Sequence, residues 1–276
     1  MPFLDRVISV NGLSLHYVEW GAPTAKPLVL LHGITGHART WDRLASELGQ
    51  YYRVLALDQR GHGDSDAAPD ADYRVGTMAQ DLTEFVDKLG LDTFMLVGLS
   101  MGGRIAIAYA GAHPARVERL VIVDIGPDIH VPGLERIRRM MSGAPERIES
   151  EEQAIAYIRL ANPLYDEAEL RDRAAHGLKR LADGTLTWKY DKALREMMRQ
   201  GGRRDPVDLW EPLGRIECPT LLVRGAESDI LSSEIAEKML QSLPDGRLVE
   251  LERAGHTVPG DQPEQFARVV RSFLGA

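Results

Sequence analysis

The chain opens with two runs in which apolar and β-branched residues alternate with polar ones, RVISV ending at Val10 and LSLHYVE starting at Leu13, joined by Asn11-Gly12. Alternation predicts strands with one buried face, and Asn-Gly supplies the positive-φ positions of a tight hairpin. Beyond Gly21, Pro23 and Pro27 the pattern changes. LVLL at 28–31, RVLAL at 53–57, TFMLV at 93–97, LVIV at 120–123, TLLV at 220–223 and LVEL at 248–251 are almost continuously apolar. Strands apolar on both faces belong to a parallel sheet covered on both sides.

Helical spacing fills the gaps. Thr77-x-x-Gln80 reads as a capping box before Met78, Leu82, Phe85, Val86 and Leu89, closed by Gly90. Trp41 to Leu48, Gly103 to Ala112, Ser233 to Leu243 and Pro263 to Leu274 read the same way, the last preceded by Asp261-x-x-Glu264. Strand and helix in alternation predict an α/β fold with an open, mainly parallel sheet. The alternation stops between Pro127 and about Pro219. There Ser150-x-x-Gln153 and Asp166-x-x-Glu169 start helices, but no buried strand is evident. We read a helical insertion at 127–206 within a core made of 1–126 and 207–276. The large side chains of the stretch from Pro127 to about Pro219, among them Met140, Met141, Tyr157, Tyr165, Trp188, Met197, Met198 and Trp210, serve the insertion's own packing or line a pocket.

Composition narrows the partners. The 276 residues carry 33 Lys and Arg against 41 Asp and Glu, a net charge of −8, so there is no basic excess to neutralise nucleic-acid phosphates or an anionic membrane. The single Cys218 cannot form an internal disulfide or a cysteine-rich metal site, which fits a reducing cytoplasm. Met1 to Gly12 has no apolar signal-peptide core, and no run approaches the roughly 20 apolar residues of a membrane span. A soluble, cytoplasmic protein is expected.

The chemistry concentrates at Gly98-Leu99-Ser100-Met101-Gly102, which follows TFMLV directly and runs straight into a helix. A strand that reverses into a helix strains its central residue and brings backbones together, so the flanking positions must lack bulk. The hydroxyl of Ser100 would stand beside a helix N-terminus, where negative charge is favoured.

With this elbow, His32-Gly33-Ile34-Thr35-Gly36 after LVLL and Asp58-Gln59-Arg60-Gly61-His62-Gly63-Asp64-Ser65 after RVLAL, the sequence resembles the α/β-hydrolase superfamily over nearly its whole length. The resemblance implies a mainly parallel eight-stranded sheet flanked by helices, with the insertion as a cap over the active site. It implies a nucleophile, Ser100, and a base, His256, in the loop Arg253-Ala254-Gly255-His256-Thr257-Val258-Pro259. Among the eight His, His32 would brace the oxyanion loop, His37 and His62 would approach the site, and His16, His113, His130 and His176 would be surface or structural. Two acids at strand ends compete to orient the base: Asp229 resembles the usual position and is preferred, Asp124 is the alternative, and Glu227 comes third. The oxyanion hole would use the N–H groups of Met101 and Ile34. Arg60 and its glycines are read as a structural turn. Trp188, Met141 and Leu231 are the candidate substrate contacts.

A serine nucleophile disfavours the family's alkyl-transfer chemistries, which need a carboxylate to form an alkyl-enzyme ester. The expectation is therefore a carboxylic ester hydrolase acting on a small or medium ester through an acyl-enzyme, with no metal and no organic cofactor. Lactone hydrolysis, for example of acyl-homoserine lactones, and C–C bond or amide hydrolysis on the same triad are the alternatives. The C–C bond hydrolases of the family tend to carry Asn where this chain has Leu99. Peracid formation is a side activity suggested by Ser-Met-Gly-Gly, and an aminopeptidase has no persuasive acidic anchor. A receptor-like member that binds without turning over is the non-enzymatic alternative.

Overall fold

The computed structural model describes residues 2–200 and 207–276. The alternating opening folds into β1 (Phe3–Val10) and β2 (Leu13–Trp20), antiparallel about Asn11 and Gly12 at φ +47° and +79°. The continuous runs form β3 (Lys26–Leu31), β4 (Tyr52–Leu57), β5 (Phe94–Leu99) and β6 (Val117–Val123). A separate short hairpin, β7 (Leu178–Arg180) and β8 (Leu186–Trp188), precedes β9 (Thr220–Gly225) and β10 (Gly246–Leu251). The eight-stranded sheet has the order β1-β2-β4-β3-β5-β6-β9-β10, antiparallel as far as β4 and parallel from there on.

Side chains along β3 explain its continuous apolar pattern. Leu28 and Leu30 join a core with Trp41, Leu44, Phe266 and Val270, whereas Val29 and Leu31 join a core with Met78, Phe85, Ile105 and Tyr109. One face is therefore covered by α1 (Asp42–Leu48) and the C-terminal helix, the other by α2 (Val75–Lys88) and α3 (Met101–Ala112). Between β6 and β9 come α4 (Val131–Gly143), α5 (Glu151–Ala161), α6 (Glu167–Gly177), the β7–β8 hairpin and α7 (Lys192–Arg199), a cap-like region, followed by α8 (Trp210–Leu213). Residues 201–206, at which the insertion was expected to end, lie outside the described residues. The chain closes with α9 (Ser233–Ser242), α10 (Val258–Asp261) and α11 (Pro263–Leu274).

Local differences from the sequence reading have simple causes. Ser150 and Asp166 cap α5 and α6 as expected, accepting from the N–H groups of Gln153 and Glu169. Helix α2 instead begins at Val75, and the Thr77 hydroxyl donates to Asp72 at 2.8 Å. Asp261 does not open α11; its carboxylate accepts from the Gly255 N–H at 2.9 Å. The β7–β8 hairpin was not foreseen because its strands are three residues each, too short to show alternation, although Asp183-Gly184 marks its turn with Gly184 at φ +88°.

Candidate active site

Ser100 stands between the end of β5 and the first turn of α3 at φ +52°, ψ −116°. A non-glycine residue held there costs about 1–3 kcal/mol, and the packing around it leaves no alternative. A Cβ on Gly98 would lie 2.4 Å from the Gly102 carbonyl oxygen, and one on Gly102 would lie 2.3 Å from the Leu31 carbonyl oxygen. Both glycines are required for the turn to seat against β3.

The hydroxyl of Ser100 lies 2.8 Å from His256 Nε2, and His256 Nδ1 lies 2.8 Å from Asp124 Oδ2. Because Asp124 can only accept, Nδ1 carries the proton and Nε2 is the acceptor facing Ser100. Asp124, fully buried at the end of β6, is itself at φ +48°. Its Oδ1 accepts from the Gly225 N–H at 2.9 Å and its Oδ2 from the Ser228 hydroxyl at 2.5 Å. Ser228 in turn accepts from the N–H groups of Ile230 and Leu231 at 3.1 and 3.2 Å.

Beside the elbow, the His32 loop is fixed from within. His32 Nε2 accepts from the Gln59 N–H at 3.1 Å, so Nδ1 donates to the Gly33 carbonyl at 2.8 Å, while the Gln59 side chain donates to the His32 carbonyl at 2.7 Å. A Cβ on Gly33 would lie 3.2 Å from that of Ser100, so the backbone leading to Ile34 passes directly along Ser100. Met101 opens α3, where a helix leaves its first N–H groups without internal acceptors.

A cavity of about 970 Å³, its mouth included, opens above Ser100 and His256. Its walls come from the loop at 33–37 and from the cap, with Ile137, Met141, Tyr157 and Trp188 among the apolar contributors. The cap is seated on core loops beside the site. A Cβ on Gly260 would meet the Tyr165 ring at 2.4 Å, and the Asp191 N–H donates to the Gly61 carbonyl at 2.8 Å.

A family model described as the alpha/beta hydrolase family matches residues 28–269. The chain belongs to the alpha/beta hydrolase family. This hydrolase is 32% identical to the 3-hydroxybutyrate-oligomer hydrolase of Cupriavidus necator over 100% of this chain and 99% of that one. It is 30% identical to the N-formylmaleamate deformylase of Pseudomonas putida over 97% and 95%. Among solved structures it resembles E-2-(acetamidomethylene)succinate hydrolase with a TM-score of 0.91, 26% identity and full coverage of both chains.

The hydrolase fold brings Ser100 and His256 together but overturns the preference for Asp229 as the partner of His256. Asp229, in the loop after β9, instead receives two hydrogen bonds from Arg136 of α4, at 2.7 and 2.9 Å. That guanidinium holds the Asp229 carboxyl below its usual range. Leu231 is likewise not among the cavity walls; it is fully buried, and its side chain packs 3.4 Å from where a Cβ on Gly126 would stand. Met141 and Trp188 do line the cavity. His37 lines it as well, whereas His62 is buried beside it, paired through its backbone with Tyr190 of the cap. Arg60 is structural as expected, clamped on Asp81 at 2.5 and 2.7 Å. Ser228, two residues before the apolar pair Ile230-Leu231 in the loop between β9 and α9, is not legible as a site residue in the sequence, where it is an ordinary loop serine.

Burial sets the charge states around the site. His37 is pushed down to about 3 by desolvation and then by Arg173, and His62 to about 3 by desolvation and then by His32. Asp58 is held at about 2 against the cost of burial, chiefly by its hydrogen bond with His16. Asp261, below the His256 loop, is raised to about 6 by desolvation. Among the described residues, no helix is long and apolar enough to cross a membrane.

Proposed function

We propose that this chain is a serine hydrolase that cleaves a small acyl compound, an ester or an amide, through an acyl-enzyme on Ser100. The observation that carries the reading is the continuous line from Ser100 through His256 to Asp124 at the floor of a mostly apolar cavity. His256 Nε2 takes the Ser100 proton as Oγ attacks the substrate carbonyl. The developing oxyanion accepts hydrogen bonds from the N–H groups of Met101 and Ile34. Collapse of the tetrahedral intermediate expels the alcohol or amine, which leaves with the proton from His256. Water then repeats the cycle and frees Ser100. Asp124 keeps the imidazole in the reactive tautomer and stabilises its charged form.

Ester cleavage is supported by the likeness to the 3-hydroxybutyrate-oligomer hydrolase. A second reading, amide cleavage, is favoured by the N-formylmaleamate deformylase and by the TM-score of 0.91 with an acetamidomethylene-succinate hydrolase. The machinery is common to both, since His256 protonates either leaving group. Parallel assays of p-nitrophenyl esters and of the matching anilides, with wild type and Ser100→Ala, test the reading. Turnover that disappears in Ser100→Ala supports it, and turnover that persists in a clean mutant preparation rules it out.

The expected cytoplasmic location and the small-molecule partner belong to this reading too. An acyl substrate able to enter the cavity is proposed to be the partner, and measurement of the enzyme in separated cell fractions checks the location.

A further inference from the structure

Among the described residues that wall the cavity, there are two arginines, Arg136 and Arg173, and no Asp or Glu. The remainder of the wall is largely apolar, so these cations are out of keeping with a pocket for a simple neutral ester. Arg136 has its charge answered by Asp229, with both groups about one third exposed. Arg173 differs. It stands on α6 with its side chain 13% exposed, and two of its three nitrogens are engaged: Nε donates to Glu169 at 2.8 Å and Nη1 to the Thr40 hydroxyl at 3.1 Å. The third, Nη2, is buried and has no hydrogen-bond partner within the protein.

A buried charged donor left without an acceptor is costly, and a guanidinium fork is shaped for a two-oxygen anion. The Nε bond to Glu169 stays within α6 and the Nη1 bond to Thr40 ties the helix to its neighbour, so neither structural contact accounts for Nη2. A second buried donor site lies on the same wall. His37 Nδ1 is also without a partner, and its ring is kept neutral by burial and by Arg173 itself. A neutral ring can donate one hydrogen bond to an anion without adding charge. The nearby Glu169 balances the formal charge of Arg173 but is turned to Nε, and Arg173 is one of the residues that line the cavity.

Resting on the reading of Ser100 as the nucleophile, we propose that the cavity takes acyl substrates carrying a second, free carboxylate, which Arg173 anchors with help from His37. The substrate class is a half-ester or half-amide of a dicarboxylic acid. Arg173 is in this proposal a specificity-determining residue; the bond broken remains the acyl C–O or C–N bond at Ser100.

The test compares the monomethyl esters of succinate, glutarate and adipate with their uncharged dimethyl esters. Binding is measured by calorimetry on Ser100→Ala, and hydrolysis on wild type. One half-ester in the series should bind about tenfold to a hundredfold more tightly than its diester, the effect of a charge-assisted hydrogen-bond pair. Arg173→Met should remove that ratio, and Arg173→Lys, which retains the charge without the fork, should restore it only in part. Should Arg173→Met fail to fold, the charged-to-neutral ratio of the unaltered pocket and of Arg173→Lys still decides. Preferential binding of half-esters that wild type does not cleave would support the anchor while removing the proposed reaction. Equal binding and equal kcat/KM for half-esters and diesters would overturn the anchor while leaving the reaction intact, and so would a ratio unchanged in folded Arg173→Met.

Discussion

Asp124 and His256 meet at 2.8 Å across 132 residues of sequence, joining the end of β6 to the loop after β10. The contact depends on strain at Asp124, whose φ of +48° turns the carboxylate back across the strand ends, where the Gly225 N–H and the Ser228 hydroxyl receive it. Asp229 occupies the strand end next door and is spent on Arg136.

The two acids should therefore separate cleanly by mutation. Asp124→Asn is expected to lower kcat by about a thousandfold to ten-thousandfold, since the imidazole loses its required tautomer. Asp229→Asn, which loosens α4 from the β9 loop, should cost less than about tenfold, the scale of one partly exposed ion pair. Steady-state kinetics on one activated ester, with circular dichroism to confirm folding, checks both. A larger loss at Asp229 would reverse the assignment.

If Asp124 orients His256 as proposed, Ser228 positions Asp124 through its 2.5 Å hydrogen bond. Ser228→Ala removes one donor from buried Asp124 and should lower kcat about tenfold, with KM little changed. Ser228→Thr keeps the hydroxyl and should recover most of the loss. A merely structural role would leave the pH dependence of kcat/KM unmoved, whereas loss of an Asp124 donor should displace its acid limb.

Much of this arrangement is visible in the sequence, and the part that is not has a physical reason. Gly98 and Gly102 announce the elbow because backbone contacts of 2.4 and 2.3 Å exclude any side chain. The parallel strands announce themselves through residues such as Leu28 and Val29, which face opposite cores. Asp124 and Asp229 cannot be ranked this way. Both follow apolar strands, and the choice rests on loop turns and on Arg136, which lies about 90 positions from Asp229 and whose pairing no local pattern encodes. Arg173 is equally silent, because an arginine on a charged helix looks solvent-facing until α6 is docked beside Thr40. Leu231 is apolar and near the right strand end, but the same turn that frees Ser228 directs it into the core.

Gly98→Ala tests the elbow directly. A methyl group 2.4 Å from the Gly102 carbonyl meets backbone that cannot step aside, and the cost should be about 3 kcal/mol or more. Urea denaturation should show a large fall in midpoint or no folded protein, and a near wild-type midpoint would contradict the close approach.

Acid should destabilise the protein from pH 6.5 downward. His37 and His62 bind protons at 6.5 when unfolded but at about 3 when folded. Between those values the unfolded state holds more protons, so stability falls as pH falls. Each residue contributes a slope of up to about 1.4 kcal/mol per pH unit. Urea midpoints measured from pH 7 to pH 4 should decline, and His62→Gln should flatten the decline; a rising midpoint would contradict the buried neutral imidazoles.

Asp261 has the opposite sign. Its folded value of about 6 lies above the unfolded 3.8, so its contribution is present below pH 3.8 and is lost as pH rises to 6. Asp261→Asn retains an acceptor for the Gly255 N–H and should raise Tm at pH 8 by a few degrees while gaining nothing at pH 4. A gain of equal size at both pH values would show that the carboxylate is not the source of the penalty.

Ser100 as a nucleophile activated by His256 and Asp124 is tested by the reaction of the folded protein with a fluorophosphonate, followed by peptide mass spectrometry. We predict a single phosphonyl adduct on Ser100, formed rapidly in wild type, slowed in Asp124→Asn and absent in Ser100→Ala. Absence of an adduct from folded wild type, or an equal rate in Asp124→Asn, would contradict the account.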